Sequence, residues 1–79
     1  MENLLSRITL NPEMNHGKPG IRNTRYMVEA ILEYLAGGDA IEDILAEFPD
    51  LEQDDVFACI AYAIASMKFK DIEVPAARN

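Results

Sequence analysis

The chain has 79 residues, 49% of them hydrophobic, with a single cysteine and a formal net charge of −7. That length suits one domain, one cysteine excludes an internal disulfide framework, and the acidity argues against a protein that coats nucleic acid through bulk charge. No segment approaches the roughly 20 apolar residues of a membrane span, and residues 1–7 lack both the basic start and the apolar run of a signal peptide, so a cytoplasmic protein is expected.

Arg7-Ile8-Thr9-Leu10 has the β-branched content and alternation of a short strand. The stretch from Asn11 to Arg25 then concentrates Pro12, Gly17, Pro19 and Gly20, residues that force a specific turning path. It also carries Lys18, Arg22 and Arg25. Up to Val28 there are four basic residues (these three and Arg7) against two acidic ones, a balance of +2. From Glu29 onward three basic residues face twelve acidic ones, a balance of −9. Ile21-Arg22 and Tyr26-Met27-Val28 read as short extended pieces leading into the first helix.

That helix starts near Val28, because Val28, Ile31, Leu32 and Leu35 recur at helical spacing, and Gly37-Gly38 stops it. A second helix is expected after Asp39 as N-cap, with Glu42 three residues on completing a capping-box arrangement. Ile41, Ile44, Leu45 and Phe48 form its apolar face, and Pro49 ends it. The third begins after Leu51. Glu52 is a weak cap, but Asp54 and Asp55 put negative charge at the positive end of the helix dipole, and Leu51 and Val56 have the spacing of a hydrophobic staple. Residues 56–67 follow with Ser66 as the only plainly polar member. A helix apolar all round must be covered all round, and two short helices with a hairpin cannot wrap it. The expectation is a homodimer through Val56, Phe57, Ile60, Ile64 and Met67. Beyond it, Phe69, Ile72 and Val74 alternate with charges as an added strand would, and form a candidate partner-binding tail.

The order of these pieces resembles a known family. Arg7-Ile8-Thr9-Leu10-Asn11-Pro12, Gly17-Lys18-Pro19 and Ile21-Arg22-Asn23-Thr24-Arg25 resemble the opening of the domain of unknown function 433 family. Ile31 to Gly38, Ile44 to Leu51 and Ile60-Ala61-Tyr62-Ala63 extend the match, so that it covers residues 7–67. The sequence departs from the pattern twice. Gly20 stands where a branched apolar residue is usual and weakens a strand there, and Asn23 replaces a glycine but can still take a left-handed conformation. Members are small prokaryotic proteins often encoded beside a PIN-like ribonuclease. The resemblance therefore implies a mainly α fold, a short N-terminal β-arm or hairpin plus a three-helix homeodomain-like (helix-turn-helix) core. It also implies an antitoxin-type role against such a nuclease. In that scheme residues 7–28 are the arm, 28–68 the core and 69–79 the tail of one domain.

The side chains say little for catalysis. His16 stands in a turn without a nearby nucleophile in sequence. Asp50, Glu52, Asp54 and Asp55 invite a metal, yet lack the glycine and closing glutamate of a calcium loop, and helix-start electrostatics accounts for them. Cys59 reads as a small buried hydrophobe, while Tyr34 and Tyr62 read as core or interface aromatics. Neither enzyme activity nor a cofactor is expected. A helix-turn-helix order suggests DNA, but Gln53, Asp54 and Asp55 open the third helix with a charge that phosphates repel. Any DNA contact falls to Arg7, Lys18, Arg22 and Arg25. For Arg22 and Arg25 the alternative is pairing with the acidic helices of their own chain. Three functions follow: nuclease-blocking antitoxin, DNA-binding regulator, or interaction module.

Overall fold

In a computed structural model, which describes residues 3–68, the N-terminal arm wraps back on itself before any α-helix begins. Asn3 caps a short 3-10 turn, Leu4–Arg7, by accepting the Leu5 N–H at 3.0 Å. Strand β1 (Ile8–Thr9) then pairs antiparallel with β2 (Gly20–Ile21), Ile8 opposite Ile21 and Thr9 opposite Gly20. Gly20 also bridges to Met27 on its other side, so β2 is the middle of three extended pieces. The strand expected over residues 7–10 is thus shorter, because Arg7 belongs to the 3-10 turn. Arg22 is likewise outside the strand. It has φ of 48° and Asn23 has φ of 59°, forming a turn closed by Thr24 N–H to the Ile21 carbonyl at 2.9 Å. Positive φ at both central residues is what a type I′ hairpin turn requires, and Asn23 meets that need without a glycine.

Gly20 has a use that the strand-weakening expectation missed. It is buried, and a Cβ there would stand 2.6 Å from Asn15 Nδ2 and 3.2 Å from the Thr24 carbonyl oxygen. Asn15 Nδ2 donates to that same carbonyl at 2.9 Å. Glycine inside a strand here marks a close approach of neighbouring chain.

Three helices follow: α1 (Val28–Ala36), α2 (Ile41–Glu47) and α3 (Gln53–Met67). The stop at Gly37-Gly38 is a Schellman turn, in which Gly38 has φ of 104°, its N–H reaches the Leu35 carbonyl and the Asp39 N–H reaches that of Tyr34. Helix α2 starts one residue later than expected. Ala40 is the cap residue, and Asp43, not Glu42, accepts its N–H at 2.9 Å. Alanine has no side-chain oxygen to return the bond, so only half of a capping box exists. Helix α3 starts as expected after Glu52, and both members of the Leu51–Val56 staple are buried.

The core joins arm to helices. Ile21 from β2, Val28 and Ile31 from α1, Ile44 from α2, Leu51, and Val56 and Cys59 from α3 form one buried cluster. Phe48 packs edge-on to Tyr26 and Tyr34, with ring centroids 5.5 and 5.4 Å away, which seals the seam between α1 and α2. The result is a hairpin followed by three helices, with residues 48–52 making the short connection of a helix-turn-helix. Among the described residues no helix is long and apolar enough to cross a membrane.

Candidate functional site

Helix α3 organises the chemistry at its start and the open surface along its length. At its N-terminus Asp55 is the one buried charged residue among those described, with no solvent exposure. Its position three residues after the cap explains part of this, since Oδ2 accepts the Glu52 N–H at 2.8 Å. The other acceptor sites are filled from the arm. Arg22 donates through Nε to Oδ1 at 3.0 Å and through Nη2 to Oδ2 at 2.8 Å, a fork geometry that suits a carboxylate. Arg7 donates to Oδ1 at 2.9 Å and also reaches Glu52 at 2.9 Å. Arg22 Nη2 further donates to the Asp50 carbonyl at 2.9 Å, and Asp50 accepts the Tyr26 hydroxyl at 3.2 Å. One carboxylate thereby clasps both ends of the arm to the helix.

Opposing effects act on that carboxyl. Burial pushes its pKa up, but hydrogen bonds from Arg22, the Glu52 backbone and Arg7 outweigh it and hold the value at about 2 against an ordinary 3.8. The same hydrogen bond raises Arg22. Because the folded value is the lower one, stabilisation is complete above about pH 5 and fades as pH falls from there toward 2, where the unfolded chain takes up its proton first. The loss is about 2 kcal/mol. Urea midpoints should therefore drop between pH 5 and 2.5, and Asp55→Asn should flatten that drop. An equally steep fall in the variant would assign the effect to another carboxylate.

The clasp decides what the arm can offer a ligand. Of the four cations expected to meet phosphates, Arg7 and Arg22 face Asp55 instead. Lys18 is exposed and 3.4 Å from Glu29, while Arg25 is exposed and makes no ion pair among the described residues. Among the described residues own-chain pairing thus holds for Arg22 and not for Arg25. In the sequence alone Asp55 carries only the signal of helix-start electrostatics. The usable signal was two arginines in the arm facing an acid at the third helical position. Among the described residues no three His, Cys, Asp or Glu side chains converge as metal ligands. Cys59 is buried, and burial followed by the Asp55 charge pushes its thiol up to about 12, which leaves little thiolate for chemistry.

The residues expected at a dimer interface divide. Val56 has no exposure and belongs to its own chain's core, so it is withdrawn from that surface. Phe57, Ile64 and Met67 are exposed and Ile60 is half-buried, along a stripe of α3 that borders Val56. Phe69, Ile72 and Val74 lie outside the described residues. A second apolar surface runs between α1 and α3, a groove of about 390 Å³ floored by Val28, Leu32, Tyr62 and Ala63 and edged by Glu29 and Glu33.

Comparison with known proteins adds one match. A family described as protein of unknown function (DUF433) matches residues 8–63, from β1 into the second half of α3. No curated protein and no solved structure matches the chain.

Proposed function

The chain belongs to the DUF433 family of proteins of unknown function, and from its charge arrangement we propose that it is a cytoplasmic antitoxin-type protein that binds and blocks a PIN-like ribonuclease. The observation that carries this reading is the internal pairing of Arg22 with Asp55 and of Arg7 with Asp55 and Glu52. With those cations engaged, the remaining surface is dominated by exposed carboxylates, among them Glu29, Glu33, Glu42, Asp43 and Glu47. Such a surface complements the cationic cleft with which a ribonuclease holds RNA. The α1–α3 groove supplies the apolar contact that charge alone does not, and its rim residues Glu29 and Glu33 favour a basic, amphipathic segment of the partner. A DNA-binding regulator would have to work chiefly with Lys18 and Arg25, few phosphate contacts for a stable complex.

Co-expression with a PIN-like protein encoded beside this chain tests the reading. The two should co-purify, ribonuclease activity should fall in the complex, and the double change Glu29→Lys with Glu33→Lys should weaken binding roughly 10–100-fold. Both positions are exposed, so the fold should be retained. If the neighbouring nuclease neither binds nor loses activity, the antitoxin assignment is wrong.

A further inference from the structure

The exposed side of α3 has a regularity that a random apolar patch would lack. Phe57, Ile60, Ile64 and Met67 are spaced by three, four and three residues, the a-d-a-d pattern of a helix-pairing seam. Ile64 and Met67 are 51% and 56% exposed and Phe57 is 38% exposed, values that suit a surface meant to be covered. From Phe57 to Met67 the seam is about 15 Å long. On one flank Leu5 of the N-terminal 3-10 turn lines an apolar groove together with Ala61, Ile64, Ala65 and Lys68, which widens the apolar surface around the seam.

Charge identifies the occupant. In this register Asp54 and Lys68 take equivalent positions on one flank of the seam, fourteen residues apart at its two ends. Like flanking positions meet across an antiparallel helix pair and not across a parallel one. Two copies of α3 laid antiparallel, Phe57 against the partner's Met67 and Ile60 against the partner's Ile64, bring Asp54 of each beside the partner's Lys68. The contact occurs twice, by symmetry, as an isologous two-fold interface requires. Asp54 makes one long ion pair, to Arg7 at 3.9 Å, and half its side chain remains exposed. Lys68 is exposed.

We infer that the protein forms a two-fold dimer through antiparallel packing of α3 on α3, centred between Ile60 and Ile64 and closed at both ends by Asp54–Lys68 pairs. This is independent of the nuclease reading, since it concerns the chain by itself and leaves the α1–α3 groove open on the other side of α3.

Charge swaps in the full-length chain test both partner and orientation. Sedimentation velocity at micromolar concentration should give a dimer, and Ile64→Asp should give a monomer with an unchanged circular dichroism spectrum, because Ile64 is largely exposed in the single chain. Lys68→Glu and Asp54→Lys should each weaken self-association about tenfold or more. Mixed together, these two variants should form the heterodimer preferentially, since both end pairs are then attractive. A monomeric unmodified chain overturns the dimer. A mixture with no preference for the heterodimer overturns the antiparallel register, as does a dimer that survives Ile64→Asp.

Discussion

Asp55→Ala is expected to leave the protein largely unfolded at neutral pH and room temperature. The change removes the common acceptor of Arg7, Arg22 and the Glu52 N–H in one step. Arg7 is only 14% exposed at its side chain, so it cannot simply turn to water. Breaking such a buried pair by deleting one partner typically costs about 3–5 kcal/mol. A chain of this length has about 4–12 kcal/mol of stability in total, and a small domain lies toward the lower end. The strained turn at Arg22 adds to the effect. A left-handed conformation costs a non-glycine residue roughly 1–2 kcal/mol, which the fork onto Asp55 offsets only while the carboxylate is there. Urea or thermal denaturation followed by circular dichroism measures this directly. Arg7→Ala and Arg22→Ala should each cost less, because Asp55 keeps one arginine in either case. An Asp55→Ala protein melting within a few degrees of the unmodified one would show that the clasp contributes little.

Gly20→Val should be the next most damaging single change, about 2–4 kcal/mol. Valine is ordinarily the better strand former, so local propensity predicts the opposite sign. Its Cβ would displace Asn15 from the Thr24 carbonyl and press against that carbonyl itself, 3.2 Å away in a buried position. The side chain can swing aside, but the backbone can yield only by opening the turn that holds Arg22. Gly20→Ala should lie between the two. If valine stabilises the protein, the close approach of this chain segment to β2 is not a constraint on its stability.

Much of the helical core was legible in the sequence, for identifiable reasons. Periodicity located α1, the glycine pair located its end, and the Leu51–Val56 staple located the start of α3, because each is a local signal with a local cause. Asp39 failed as a cap because a second acid, Asp43, lies at the right distance from Ala40. The facing of α3 was not readable. With apolar residues on every side, nothing local distinguishes Val56, which enters the core, from Phe57, which leaves it. Nor could Asp55 be separated from Asp54 by type or by helix-start electrostatics. Only their different directions, one toward the arm and one toward solvent, divide a buried acceptor from a surface charge. The arm's two roles, structural clasp and candidate ligand surface, used the same residue types, and three-dimensional pairing alone told them apart.

The clasp also sets an order of events during synthesis. Arg7 and Arg22 leave the ribosome 48 and 33 residues ahead of Asp55, the carboxylate they share. Until α3 has been made, Arg7 and Arg22 lack the carboxylate on which they close. The stretch up to Val28, with its balance of +2, is therefore made before the acidic helices that follow it. The hairpin that comes first in the chain is in this sense completed last.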